Sequence, residues 1–260
     1  MTALLDIEDL RVSFGAAEAL KGVSFSLGRR ERLALVGGSG AGKSLIGRSI
    51  LRLLPPGADL AARRLAFDGN DLLRAGPREL RALRGRRIGW VLQDPKFSLN
   101  PVMRVGAQIE ESLRLHHALA AAETRERAVE LLAAVRLPNP TRVHGLYPHE
   151  LSGGMGQRAM IAMMLAGDPD LLIADEPTSA LDATAAIQIL ALLDELVERR
   201  GMGLLFISHD LRLVEGFCES VLVLEAGVIV ERCEAASLGA ARHPYTRRLM
   251  AARPMPFEAP

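Results

Sequence analysis

Residues 33–54 impose more on this chain than any other stretch. Leu33-Ala34-Leu35-Val36 is a short apolar run bounded by charges and glycines, the pattern of a strand buried on both faces. It runs into Gly37-Gly38-Ser39-Gly40-Ala41-Gly42-Lys43-Ser44. The spacing of Leu45, Ile46, Ile50, Leu53 and Leu54 then predicts a helix, which Pro55-Pro56 must end. Strand, glycine-rich loop and helix in this order make an anion cradle. The backbone N–H groups of residues 38–44 point into the loop at a helix N-terminus, where the dipole favours phosphate. The glycines allow close approach and positive φ. Lys43 is placed for the β- and γ-phosphates of a nucleotide, and the Ser44 hydroxyl for Mg²⁺. A plain Gly-rich turn is the alternative, and the matching strand and helix argue against it.

Composition removes several function classes. Of the 260 residues 49% are hydrophobic but only 4% aromatic, which fits an aliphatic α/β protein and argues against an aromatic platform for single-stranded nucleic acid. Net charge is +1, so no global field favours DNA or anionic lipid. The local exception, Arg74, Arg78, Arg81, Arg84, Arg86 and Arg87, reads as a solvated helix face, with a membrane or partner contact as the alternative. Cys218 and Cys233 lack metal-site spacing and read as ordinary reduced residues. The start, MTALLDIEDLR, is acidic where a signal peptide would be basic. The longest apolar stretch, Ala159–Gly167, is far short of the roughly 18–20 residues that span a bilayer. The chain reads as soluble, held at any membrane by something else.

Strand-like runs open the chain at Leu10–Phe14 and Val23–Leu27, and buried strands are predicted at Ile88–Leu92, Leu171–Ala174, Leu204–Ile207 and Val221–Leu224. Helices are predicted over 105–120, 123–136, 155–167, 184–200 and 210–217, with Asn139-Pro140 and Tyr147-Pro148 breaking the helical middle. Alternating strands and helices imply a mainly parallel, doubly wound sheet with a helix-rich insertion.

Further polar groups stand where such a sheet places chemistry. Asp175-Glu176 ends the run Leu171–Ala174, at the carboxyl end of a parallel strand. Asp175 is suited to Mg²⁺ and Glu176 to activating a water as general base; the plainer reading is two acids before a Pro177 turn. Gln93 follows the strand Ile88–Leu92, where an amide can touch both Mg²⁺ and the water, although a lone exposed Gln would mean nothing. His209 follows Ser208 at another strand's end, as a γ-phosphate contact or a structural hydrogen-bonder. Ser152-Gly153-Gly154 opens a second helix suited to an anion, with Ser152 as a simple N-cap in the alternative reading. One nucleotide does not need two phosphate loops in one chain. A head-to-tail dimer explains both, with Ser152 and the following N–H groups contacting the γ-phosphate bound by the opposite Lys43.

In order, Gly37–Ser44, Gln93, Leu151–Gln157, Asp175-Glu176, Ser179-Ala180-Leu181-Asp182 and His209 resemble the motif set of ABC ATPases, from the strand Leu10–Phe14 to about Leu249. The resemblance implies an α/β fold: a P-loop NTPase (RecA-like) core with a mainly parallel sheet, an N-terminal antiparallel β subdomain and an α-helical insertion. It places the ATPase domain at 1–251, the insertion at about 98–166, and a loosely held tail at 252–260. It further implies that Ser152, Gly153, Gly154 and Gln157 bind ATP in trans, and that Ser179, Ala180, Leu181 and Asp182 carry communication between two sites. An aromatic stacks on adenine, for which Phe14 is the best match and Phe25 is available. Catalysis falls to Glu176, Gln93 and His209, and Mg²⁺ to Ser44, Gln93 and Asp175.

Gln93–Pro101, Tyr147–Glu150, Ala174–Thr178 and His243-Pro244-Tyr245-Thr246 are similar to the importer ATPases for oligopeptides, dipeptides and nickel. That family implies two permease subunits, an extracytoplasmic substrate-binding protein and a second ATPase subunit, either a non-identical paralogue or a second copy. It implies a place on the cytoplasmic face of the cell membrane, reached through the permeases, and no nucleic-acid partner. The segment after Gln93 and the helical insertion would form the groove that receives a permease coupling helix. Gly156 departs from the long side chain that many relatives carry there. The Cys-containing tail that can hold an iron–sulfur cluster in many peptide-importer ATPases has no counterpart after Tyr245, so no cluster is expected. Gly37-Gly38-Ser39 resembles the nickel branch, which leaves peptide and metal-complex cargo both open, with a soluble, non-transport ABC ATPase as a further rival.

Overall fold

The computed structural model describes residues 3–251, the side chain of Phe97 excepted. The chain divides into two compact units, one made of the residues up to Leu73 together with those from Phe206 onward, the other of Arg74–Leu205.

In the first unit β1 (Leu5–Phe14) and β2 (Ala17–Leu27) form an antiparallel pair. β1 buries Leu5, Ile7, Leu10 and Val12, which simple alternation does not allow. The register supplies the reason: Ile7 faces Phe25 and Leu10 faces Val23, so β1 carries one extra residue, and Asp9 takes φ 51°. This bulge restores the inward face after a one-residue slip. It also explains why alternation alone starts this strand at Leu10. β3 (Arg32–Val36) is followed by the glycine loop and α1 (Lys43–Ile50). β4 (Ala58–Ala61), β5 (Arg64–Phe67) and β6 (Asn70–Asp71) complete the antiparallel sheet, ordered β2-β1-β5-β6 with β4 also paired to β1.

The second unit begins with α2 (Pro77–Leu83), which buries no residue and leaves Arg78 and Arg81 exposed, as a solvated face requires. β7 (Ile88–Val91) runs parallel to β8, with Val91 opposite Ala174. Between them lie α3 (Val105–His116), α4 (Ala121–Ala134), α5 (Pro140–Gly145) and α6 (Gly153–Leu165), packed on one another through Val105, Ile109 and Leu113, Leu131 and Leu132, and Ala159 to Ala162. Asn139-Pro140 starts a helix rather than only breaking one. Asn139 takes φ 48° and Pro140 opens α5, where its missing N–H costs no hydrogen bond. β8 (Leu171–Asp175) is wholly buried. α7 (Ala183–Arg200) presents Ala186, Ile189, Leu193, Leu196 and Val197 to the interior at helical spacing and ends at Gly201 with φ 67°.

β9 (Gly203–Ser208) crosses the boundary between the units. In the first unit again, α8 (Leu211–Phe217) sets Phe217 edge-on to Phe206, with ring centroids 5.2 Å apart. β10 (Ser220–Glu225) pairs parallel to β3, and the two-residue turn at Ala226-Gly227, φ 47° and 84°, returns the chain as β11 (Val228–Glu234). α9 (Pro244–Ala251) ends the described chain; the expected tail at 252–260 lies outside it. Both cysteines are free, and burial is the main cause that pushes each thiol above its ordinary value. Among the described residues no helix is long and apolar enough to cross a membrane.

Candidate active site

In the first unit β3 delivers the chain into residues 37–42 and α1 starts at Lys43. The loop is pressed onto β10: a Cβ on Gly37 would lie 2.2 Å from the carbonyl oxygen of Leu224. Gly40 and Gly42 take φ +76° and +107°, so they turn the loop where other residues would be strained. Ala41 N–H donates to Gly38 O at 3.2 Å, and Gly227 N–H donates to Ala41 O at 3.0 Å. The loop is thereby closed on itself and pinned to the β10–β11 hairpin. Lys43 is buried, and its Nζ donates to Gly37 O at 2.8 Å and Gly38 O at 3.1 Å. Ser39, Gly40 and Ser44 are exposed. No side chain caps α1 and no acid stands in its first turn, so its N-terminal N–H groups and dipole are left for an anion.

Phe14 ends β1 with 37% of its surface exposed, whereas Phe25 is buried at 4% and cannot offer its face to a base. His209 follows β9, is exposed, and precedes Asp210, whose side chain caps α8 by accepting from Arg212 N–H.

In the second unit β7 and β8 end side by side, and the residues just beyond meet. Gln93 Nε2 lies 3.3 Å from Glu176 Oε2. Asp175, the last residue of β8, is buried at 7%. Glu176 leaves the strand at φ 50°, the left-handed region that a non-glycine residue rarely occupies. The following turn holds it there, because Ser179 donates to Glu176 O from its N–H at 3.2 Å and from its hydroxyl at 3.0 Å. Nothing in the sequence signals this conformation, since the residue is not glycine.

Ser152 is the N-cap of α6, its Oγ accepting from Met155 N–H at 3.4 Å. Ser152 and Gly153 are exposed, and the first turn of α6 holds no acid. The turn at 179–182 lies against this helix start: a Cβ on Gly153 would meet Leu181 Cδ2 at 3.7 Å. Asp182 caps α7 by accepting from Ala185 N–H at 2.9 Å, while Ala180 is exposed. Gln157 differs from its neighbours. The sequence groups it with the outward signature residues, but it is 1% exposed, one turn into α6 on the helix's inner face, so its side chain is not offered to an external anion. Gly156 brings α6 against the loop after Gln93, because a Cβ there would lie 3.3 Å from Pro95 Cγ. Beside this contact is a groove of about 690 Å³ lined by Pro95, Leu99, Pro101, Pro148, Leu151 and Leu181, with Asp94, Lys96 and His149 also on its wall.

The sequence profile of the family described as ABC transporter matches residues 20–179. The chain belongs to the ABC transporter family. It is an ATPase that binds ATP. It is 48% identical over 253 residues to "Probable peptide ABC transporter ATP-binding protein y4tR" of Sinorhizobium fredii, covering 95% of this chain and 76% of that one. It is 44% identical to oligopeptide transport ATP-binding protein OppD of Bacillus subtilis, covering 98% and 73%. Among solved structures it resembles cbiO1 from Clostridium perfringens, part of the ABC transporter complex cbiONQ, with TM-score 0.82, 26% identity and coverage of 96% and 100%. It also resembles the ATP-binding cassette MJ0796, solved as a dimer in a post-hydrolysis state bound to ADP and Pi, with TM-score 0.78, 28% identity and coverage of 89% and 98%.

Proposed function

We propose that this ABC ATPase powers a peptide importer, with Glu176 as general base and the residue 37–44 loop holding the triphosphate. The observation that carries the chemistry is the approach of Gln93 to Glu176 at the ends of two parallel strands. The names of the relatives supply the cargo class.

The loop and the N–H groups at the start of α1 hold the phosphates, and Lys43, kept in place by the Gly37 and Gly38 carbonyls, extends its ammonium to the β- and γ-phosphates. Phe14 offers an exposed ring to adenine. Glu176 accepts a proton from the attacking water as its oxygen moves to the γ-phosphorus, and the β–γ bridging oxygen leaves with ADP. Gln93 keeps the Glu176 carboxylate and the water oriented, and His209 donates to a γ-phosphate oxygen. The donors Ser44 hydroxyl, Gln93 amide oxygen and Asp175 carboxylate are hard oxygens that suit Mg²⁺, a cation that completes its shell with phosphate and water. Among the described residues no cluster of three or more His, Cys, Asp or Glu side chains could hold a metal by itself. When bound, Mg²⁺ would be held by Ser44, Gln93 and Asp175 and would neutralise charge developing on the phosphates.

Ser152, Gly153 and Gly154 present a helix start to the γ-phosphate of a nucleotide on a second ATPase subunit, so ATP closes the pair and hydrolysis releases it. The turn at 179–182, resting on that helix start, carries the state of one site to the other. Two permease subunits seat a coupling helix in the groove between Pro95 and Leu181 and hold the ATPase at the cytoplasmic face of the membrane. A substrate-binding protein delivers cargo to them. The test is reconstitution with co-purified permeases, measuring ATP turnover against peptides and nickel complexes. Stimulation by peptides is the expected result. Stimulation by nickel complexes alone would move the chain to the metal branch, and co-purification with ribosomes or nucleic acid instead of permeases would end the importer reading.

A further inference from the structure

Tyr245, in α9, reaches the phosphate loop. Gly38 N–H donates to its phenol oxygen at 2.8 Å, across 207 residues of sequence, so this one N–H of residues 38–44 does not point into the loop as the sequence leads one to expect. That N–H belongs to the same peptide unit as Gly37 C=O, and the chain's described peptides are all trans. In a trans unit the two groups point in opposite directions and cannot turn independently. Gly37 O faces the other way, onto Lys43 Nζ at 2.8 Å. One rigid plane therefore has Tyr245 on one edge and the Lys43 ammonium on the other. Glycine stands on both sides of this plane, so the flanking backbone does little to stop it flipping.

The tyrosine is itself well held. Glu231 Oε1 accepts from the N–H groups of Arg242 at 2.7 Å and His243 at 3.3 Å, just before α9. Thr246, the next residue after Tyr245, is fully buried. Its hydroxyl makes no short hydrogen bond to Glu231 Oε2 but lies close enough to act on that carboxyl. Burial pushes Glu231 up, and the Thr246 hydroxyl with the two N–H groups outweighs this and holds it below the ordinary carboxylate value. Arg248 lies 5.8 Å over the Tyr245 ring and pairs with Glu225 on β10 at 3.3 Å.

We propose that Tyr245 is a positioning residue for ATP binding: its hydroxyl locks the Gly37–Gly38 peptide, and through it the Lys43 ammonium, in the orientation that receives phosphate. The C-terminal helix is thus a functional part of the nucleotide site. The inference rests on reading residues 37–44 as the phosphate loop. Without the hydroxyl the peptide flips, Lys43 loses a fixed carbonyl, and ATP must reorder the loop as it binds.

The experiment is a double-mutant cycle on the full chain, reading ATP affinity by equilibrium binding and stability by nucleotide-free melting. Tyr245→Phe removes the hydroxyl and keeps the ring under Arg248. Gly38→Ala attacks the same bond from the other side, since its Cβ would lie 3.0 Å from the phenol oxygen and push it off. Tyr245→Phe is expected to weaken ATP binding about threefold to tenfold, the range for one hydrogen bond, with the melting temperature retained. The double variant is expected to bind little worse than Gly38→Ala. An affinity within twofold of the parent, additive losses, or a loss that follows a fall in melting temperature would each overturn the proposal. The parent's own affinity reports separately on whether residues 37–44 hold ATP.

Discussion

The Gln93 amide and the Glu176 carboxylate meet at 3.3 Å although 83 residues separate them. They meet because β7 and β8 are parallel neighbours in register, Val91 opposite Ala174, and each chain leaves its strand at the same end. A carboxylate fixed by its turn and faced by an amide is a base with a defined direction. Glu176→Gln is expected to keep ATP binding and lower turnover about 10²- to 10⁴-fold, the usual worth of a general base. Single-turnover hydrolysis and equilibrium binding check it, and near-normal hydrolysis would remove Glu176 from the chemistry.

Ser152 caps α6 at an exposed helix start with no acid in its first turn. Ser152→Arg puts a long cation where an anion is to dock and removes a cap worth about 1 kcal/mol. The variant is expected to bind ATP at its own loop and to stay monomeric. Size exclusion with ATP in the Glu176→Gln background reads this directly. A dimer that persists there would contradict a nucleotide shared between two subunits.

Several of these features can be read from the order of residues alone. Leu33–Val36 and Leu171–Ala174 are short aliphatic runs with sharp polar ends, so burial on both faces announces their strands. The loop at 37–44 is legible because glycine, lysine and serine must fall at fixed offsets. Other features are hidden for physical reasons. The bulge at Asp9 reverses the alternation of β1 and conceals the strand's first half. Asn139-Pro140 reads as a break because the same dipeptide can stop one helix and start another. Gln157 reads as part of an outward motif, but it lies one turn beyond the exposed Ser152 and Gly153 and faces inward. The bond from Gly38 to Tyr245 has no local signal at all, since only the folded first unit brings α9 to the loop.

Gly156 packs α6 closely on Pro95, with the ring atoms 3.3 and 3.5 Å from where a Cβ would stand, so an added side chain needs the ring to give slightly. Pro95 is rigid, so a larger residue must displace the loop after Gln93 or fill the adjacent groove. Overpacking of this kind costs about 1–3 kcal/mol of folded-state stability; where the groove wall yields instead, a comparable loss in docking is about tenfold in affinity. Gly156→Leu is therefore expected to lower recovery of permease subunits with the ATPase about tenfold in detergent pull-downs. Recovery equal to the parent's would mean that the permeases dock elsewhere.

His116 ends α3 with its ring against Gly85, where an added Cβ would lie 2.8 Å from Nε2. Burial first, then the charges of His117 and Arg86, lowers its pKa from the ordinary 6.5. The unfolded chain therefore takes up this proton at a higher pH than the folded one. The contribution to stability is complete above about 6.5 and is lost as pH falls toward and through the lower folded value. Melting temperature is expected to drop between pH 7 and pH 5, and His116→Gln to flatten part of that drop because glutamine has no proton to gain. The comparison should use the nucleotide-free protein, so that binding at the phosphate loop does not add its own pH dependence. Equal slopes for parent and variant would show that the His116 ring stays as easily protonated in the fold as in the open chain.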